Sequence, residues 1–334
     1  MDTFLQQVVN GLTLGCVYAI VALGYTMVYG IIQLINFAHG EVVMIGAMVA
    51  YSVIVALVGA HTSLPPLVIL GIAALAAIPV CIIVGYLLER VAYRPLRRAP
   101  RLAPLITAIG LSIVLQHLAL IIWSRNPLPY PQVIATVPYH LTSHPDGATI
   151  TNVQIGIIGL SLVMMAALLL LVYRTKLGIA MRAVAQNPQV AGLMGIDINQ
   201  VISLTFVIGA ALAAVAGVMD ASYYGIAHYQ MGFLLGLKAF SAAVLGGIGN
   251  LGGAMLGGLL MGIIEALGAG YVGELTNLCG LAHWSDALAQ RCANDPHLEV
   301  FGSNYQDVFA FVVLILVLTL RPSGLLGERV SDRA

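Results

Sequence analysis

The sequence predicts an all-α polytopic membrane protein, a single bundle of about 8–10 transmembrane helices with some broken or re-entrant. Three observations carry this. Charged residues make up 8% of the chain, against about 25% in a soluble domain. Hydrophobic residues make up 60% and mean hydropathy is +0.97. The apolar stretches are continuous, where the strands of a membrane barrel would alternate. Glycine is abundant, at 36 residues, as membrane helices tolerate. Net charge is zero, so nothing points to nucleic acid as a partner.

Apolar runs of crossing length fall at 5–29, 41–59, 66–88, 104–123, 153–173, 200–220, 231–249, 253–272 and 305–320. Three junctions are basic. Residues 89–103 hold Arg90, Arg94, Arg97, Arg98 and Arg101; residues 174–200 hold Arg174, Lys176 and Arg182; the tail holds Arg321, Arg329 and Arg333. Loops 124–152 and 273–304 hold one basic residue each, Arg125 and Arg291. The positive-inside rule places the first three in the cytoplasm and the last two outside. The first Lys or Arg is Arg90, so the charged n-region of a secretory signal is absent from the N-terminal stretch. One transmembrane domain over 1–334 is expected, with no soluble domain and no clear sequence repeat.

Three runs precede Arg90, which would put the N-terminus outside. Residues 31–41, IIQLINFAHGE, are too polar for a plain span: Asn36, His39 and Glu41 lie beside Gly40. A broken or re-entrant helix there would change the count.

Residues 174–200 read as a short helix on the membrane surface. Asn187 suits an N-cap, Pro188 the first helical position, and Gly195 a left-handed end. Val190, Leu193 and Met194 then share one apolar face by the i, i+3, i+4 rule. So short a helix is marginal alone in water. Its face either folds back onto the protein's own helix ends and headgroups, or enters a groove on a soluble partner.

Loop 124–152 is rich in Pro, His, Ser and Thr and reads as irregular. Cys16 and Cys81 lie in apolar runs and read as packing residues. Cys279 and Cys292 lie in the polar loop 273–304. An oxidising exterior permits a disulfide between them, worth about 3 kcal/mol in the chain-entropy model. Mass spectrometry of non-reduced protein tests this; two free thiols would exclude it.

The motifs exclude more than they assign. Gly247, Gly249 and Gly252 fit G-x-G-x-x-G, but they sit between membrane runs and lack the βαβ context a dinucleotide site needs. Gly249, Gly253 and Gly257, four residues apart, instead predict a small-residue helix face for close packing; a simple turn joining two helices is compatible with this. There is no P-loop, since Lys176 is followed by Leu and Lys238 by Ala. Uphill transport would draw on a partner ATPase or an ion gradient. No His/Cys/Asp/Glu cluster has metal spacing, no Ser/His/Asp constellation stands out, and no cofactor or enzymatic activity is expected. The charged or ionisable residues within runs are Glu41, His117, Asp220, Lys238 and Glu265. Each is costly in lipid unless it faces the bundle interior. Asp220 and Glu41 lie near run ends, where a side chain can snorkel. Lys238 is mid-run and points to a pathway or an internal ion pair.

Several stretches are specific beyond composition: GYTMVYGIIQLINFAHGEV (24–42), ERVAYRPLR (89–97), ITAIGLSIVLQ (106–116), GIDINQVISLTFVIGAALAAVAGV (195–218), GLKAFSAAVLGGIGNLGGAMLGG (236–258) and RPSGLLG (321–327). Together they resemble the permease subunit of bacterial ABC importers for branched-chain amino acids, over nearly the whole chain. The resemblance implies an inner-membrane, multi-pass permease. Its implied partners are a second related permease, two ATP-binding subunits and a periplasmic substrate-binding protein. It also implies that 174–200 is the cytoplasmic segment docking on the ATPase, with Arg182, Asn187, Pro188, Val190, Leu193, Met194 and Gly195 as its coupling residues. Asn36, His39, Glu41 and Lys238 are the candidates for the path or its gates. Loop 273–304 is longer than the family pattern. Urea or short amides are rival substrates within this reading, because related permeases handle them. An ion-coupled secondary amino-acid transporter using Glu41, Glu265 or Lys238 is the alternative from another class; such folds show inverted repeats and discontinuous helices. A passive channel would need a filter-like repeated loop, which the sequence lacks.

Overall fold

The computed structural model describes residues 2–60, 64–97, 99–100, 102–141, 147–275 and 305–327. Loop 273–304, with Cys279 and Cys292, lies almost wholly outside the described residues. In chain order the helices are α1 (Asp2–Ile32), α2 (His39–Gly59), α3 (Pro66–Leu87), a π-helical stretch (Leu88–Tyr93) leading into the short α4 (Arg94–Leu96), α5 (Leu102–Ile122), α6 (Asn152–Arg174), α7 (Lys176–Gln186), α8 (Pro188–Leu193), α9 (Ile198–Tyr224), α10 (Met231–Gly246), α11 (Leu251–Leu275) and α12 (Gln306–Leu320).

Among the described residues seven helices are long and apolar enough to cross a membrane, the α3–α4 run counting as one. The two remaining apolar runs are shorter than expected from sequence. Helices α10 and α12 have 16 and 15 residues, roughly 24 and 22 Å at 1.5 Å per residue, against a hydrocarbon core of about 30 Å. Loop 124–152 is less irregular than its composition predicts. Strand β1 (Leu128–Pro129) pairs with β4 (Ile226–Ala227), and β2 (Pro138–His140) pairs with β3 (Thr149–Thr151).

Helix α1 is the central post, buried along most of its length from Val9 to Val28. Burial at both faces explains why it lacks a polar stripe. It runs antiparallel to α11 at backbone contact: a Cβ added to Gly262 would fall 2.2 Å from the Gly15 nitrogen, and one added to Gly11 would fall 2.6 Å from the Ile263 Cα. Lipid supplies no hydrophobic drive between helices, so such close van der Waals packing is the main adhesive. The expected Gly249–Gly253–Gly257 face is only partly formed. Gly253 and Gly257 pack against Gly246 and Ala242 of α10. Gly249 precedes α11, has φ +95°, and has nothing within 4 Å of the Cβ position. It belongs to the α10–α11 turn, where a left-handed residue is required.

The helix packing contains an inverted repeat that the sequence does not display. Helices α1, α2, α3 and α5 correspond to α9, α10, α11 and α12. In each set a long helix breaks for six residues, 33–38 or 225–230, before a second helix starts. The second helix packs on the third in both sets, and each first helix packs on the other set's third: α1 on α11, and α9 on α3. Corresponding helices run in opposite directions. Helix α1 ends, and α9 begins, at the end of the bundle where Arg97 donates to Asn199 Oδ1 at 2.8 Å. Arg182, Tyr29, Asn250 and Pro322 line one cavity at that same basic end. At the opposite end the Thr149 N–H donates to Gln6 Oε1 at 2.8 Å and β1 meets β4.

Candidate functional site

The first break places three of the four expected path residues in the bundle interior. The chain leaves α1 at Gln33, whose φ of +52° is the one positive value at a non-glycine among the described residues. Asn36 is buried and accepts a hydrogen bond from the Tyr93 hydroxyl at 2.8 Å. His39 opens α2 with its ring edge-on to Tyr25, centroids 4.9 Å apart. Its Nε2 would be 2.2 Å from a Cβ on Gly24, so only glycine at 24 leaves room for the imidazole.

Glu41 is fully buried rather than snorkelling at a boundary. Its Oε1 accepts from Ser112 Oγ at 2.8 Å and from Gln116 Nε2 at 2.7 Å, both on α5. Its Oε2 has no hydrogen-bond partner among the described residues and lies against Gly232, near the start of α10. Gly40 meets Gly232 and Gly236 backbone to backbone: a Cβ on Gly40 would fall 2.2 Å from the Gly232 carbonyl oxygen. The two breaks of the inverted repeat thus meet at one interior point. His117, by contrast, is exposed and, among the described residues, bonds within its own helix, at Ile113.

Lys238 sits apart from this point as an internal ion pair. Its Nζ lies 2.8 Å from Glu265 Oε1 and 2.7 Å from Asp307 Oδ1, and Tyr18 donates to Glu265 Oε2 at 2.9 Å. The lysine ties α10 to α11 and α12. Long helical side chains lean toward their helix N-terminus, which carries the ammonium toward these acids. Removing one partner of a buried pair strands the other charge. Lys238→Met should therefore destabilise the folded protein by about 3 kcal/mol, read as a lowered melting temperature in detergent. Adding Glu265→Gln should restore much of the loss. Unchanged melting of the single variant would remove the pair from the account of stability.

At the basic end the expected short helix exists and has a companion that sequence reading missed. Asn187 Oδ1 accepts from the Val190 N–H at 3.0 Å, with Pro188 at the first helical position. Gly195 has φ +86°, and the Gly195 and Ile196 N–H groups donate to Gly192 and Ala191 carbonyls at 3.1 Å, a Schellman end. Val190, Leu193 and Met194 are exposed, Leu193 by 87%. The companion α7 is capped by Thr175, whose Oγ1 accepts from the Gly178 N–H, and buries Gly178, Met181 and Val184. That threonine and apolar spacing were its signal in the sequence. Arg182 stacks over the Tyr173 ring at 5.4 Å. Sequence reading also missed Glu89. It is fully buried in the π-helical stretch, ion-paired to Arg97 and accepting from Ser203 Oγ at 2.7 Å. A carboxylate inside an arginine-rich segment was the available signal.

Several cavities lie at the basic end, and two of them bear on the first break. A wide one of about 760 Å³ is lined by Tyr29, Arg182, Ile248, Asn250 and Pro322. A small gap, with room for about one water, shares Tyr29 and Ile248 and reaches Tyr25 and Phe240. Phe240 packs against Tyr25 and Phe37, centroids 6.0 and 5.5 Å apart, and Tyr25 in turn meets His39.

Residues 7–318 match the family described as the permease component of branched-chain amino acid transport systems. The chain is 46% identical over 325 residues to the high-affinity branched-chain amino acid transport system permease protein BraD of Pseudomonas aeruginosa, covering 97% of this chain and 96% of BraD. It is 42% identical over 327 residues to the LivH permeases of Salmonella typhimurium and Escherichia coli, again covering 97% and 96%. No solved structure matches the chain. A match of this extent, on a polytopic helical bundle, places the chain in the family of branched-chain amino acid transport system permease components.

Proposed function

We propose that this chain is the membrane-spanning subunit of an ABC importer that moves branched-chain amino acids across the bacterial inner membrane. The observation that carries the substrate reading is the 42–46% identity, over nearly full length, to permeases named for that transport. ATP hydrolysis belongs to two partner subunits. A second related permease completes the membrane part, and a periplasmic binding protein delivers the substrate. The exposed apolar face of α8, Val190, Leu193 and Met194, supports the basic end as the ATPase-docking and cytoplasmic end. A transporter needs ligands that distinguish its two states; ATP on the inner side and the loaded binding protein on the outer side meet that requirement. The inverted repeat by itself would also suit an ion-coupled carrier; the family match supports the ATP-driven reading.

Deleting this chain should abolish high-affinity uptake of Leu, Ile and Val and leave urea uptake unchanged. In vesicles, uptake should require ATP and survive collapse of the ion gradient. Uptake that follows the gradient, or a deletion that affects only urea, would refute the reading. For orientation, in a chain with Cys279 and Cys292 replaced by Ser, Tyr139→Cys should react with an impermeant maleimide in intact cells and Gln189→Cys should not. The reverse pattern would invert the bundle.

A further inference from the structure

The meeting point of the two helix breaks carries chemistry that helix packing does not explain. Helices α2 and α10 come from opposite halves of the inverted repeat, and both start inside the bundle with their first turns side by side. Neither start has a side-chain cap: Ala38 and Gln230 occupy the cap positions without such a bond. Helix starts concentrate positive potential, although most first-turn N–H groups here already donate to backbone carbonyls: His39 to Asn36, Glu41 to Ala38, Met231 to His228 and Phe233 to Gln230. Next to them is the opposite charge type, the fully buried Glu41 carboxyl, with Oε1 held by Ser112 and Gln116 and Oε2 without a partner. That oxygen faces Gly232, where a Cβ would stand 2.9 Å away. A buried acceptor left unpaired is costly unless function uses it.

We propose that this point is the amino acid's own binding site in the permease: Glu41 Oε2 receives the α-ammonium, and the positive ends of α2 and α10 receive the α-carboxylate. The inference rests on the importer reading above and assigns the site within it. A zwitterion is the ligand class that needs an acceptor and an anion cradle side by side. The side chain of a branched-chain amino acid would lie toward the apolar and aromatic wall of Tyr25, Phe37 and Phe240, of which Tyr25 and Phe240 line the small gap shared with Tyr29 and Ile248. In this structure Gly40 and Gly232 touch, so the site is shut. Parting α2 from α10 by the width of a side chain would open it with Oε2 already at its wall. The glycines allow the shut form to close backbone to backbone.

The test uses the complete complex in lipid nanodiscs and proteoliposomes. With the binding protein omitted, radiolabelled leucine should bind the wild-type complex. Unlabelled leucine should compete, whereas isocaproate, lacking the ammonium, and isopentylamine, lacking the carboxylate, should not. Glu41→Gln should lower this binding, and uptake from loaded binding protein, at least tenfold, and Glu41→Asp should recover part of both. Copurification of the ATP-binding subunits at the wild-type ratio checks that the variants are assembled. Glu41→Gln binding and transporting within twofold of wild type would overturn the assignment, as would isocaproate competing as well as leucine. A wild-type complex that imports none of Leu, Ile or Val fails differently, because it removes the importer reading itself.

Discussion

Gly262→Leu should leave almost no folded permease in the membrane, while Gly110→Leu should leave abundance unchanged. Both are mid-helix glycines in apolar runs, so composition and insertion cost are matched. They differ in what a side chain would meet. At Gly110 nothing lies within 4 Å of the Cβ position. At Gly262 the nearest atoms are the Gly15 nitrogen at 2.2 Å, the Gly15 Cα at 2.4 Å and the Gly11 carbonyl oxygen at 2.5 Å. All three are backbone, so no rotamer change can relieve the clash and α1 must move off α11. Ordinary overpacking costs about 1–3 kcal/mol. Here the longest contact of the central helix would be lost, and the cost should exceed the upper end of that range. Quantitative blotting of membranes, followed by gel filtration in mild detergent, reads the result. A Gly262→Leu protein that elutes and melts like wild type would show that α1 and α11 are not held by this contact.

The same pair of helices shows what the sequence could and could not reveal. The spacing of Gly11 and Gly15, and of Gly258 and Gly262, is visible in the chain, and each marks a helix face that admits a close neighbour. It does not say which neighbour, because the two faces are 247 residues apart (262 − 15) and partner choice is a tertiary property. Gly249 failed for the complementary reason. A four-residue repeat defines a face only while the helix is continuous, and the positive φ of Gly247 and Gly249 breaks it before Leu251. The end of α8 was legible because everything that makes it is local: an Asn cap, a proline and a glycine within nine residues (195 − 187 + 1). Asn36, His39 and Glu41 were legible as an oddity, since polar residues in an apolar run need a reason. Their partners Tyr93, Tyr25, Ser112 and Gln116 were not, because all four lie on other helical segments. The inverted repeat left no readable trace, since packing constrains where helices break and touch far more than which apolar residues they carry.

The proposed coupling element gives the other large effect. Leu193→Arg should abolish uptake while leaving permease abundance unchanged. Leu193 is 87% exposed in the isolated chain, so its replacement disturbs no intramolecular packing. If α8 enters an apolar groove on an ATP-binding subunit, the guanidinium loses its water without gaining a partner, and burying an unpaired charge costs several kcal/mol. The ATP-binding subunits should then be lost on purification, or hydrolysis should no longer respond to the loaded binding protein. Gly195→Val probes the same joint through the backbone. Its Cβ would meet nothing within 4 Å, so contacts do not oppose it. The cost is the φ of +86°, which a β-branched residue resists by about 1–2 kcal/mol or more. The Schellman end would unravel, and the face carrying Val190, Leu193 and Met194 would turn away from its groove. This variant should weaken coupling less completely than Leu193→Arg, since the apolar side chains remain. A face that merely rests against headgroups predicts another pattern: normal subunit ratio and normal stimulation per complex in both variants. Blotting permease and ATP-binding subunits in the same membranes separates the two. Full stoichiometry with stimulated hydrolysis in both variants would mean that 174–200 does not transmit the ATPase's motion to this bundle.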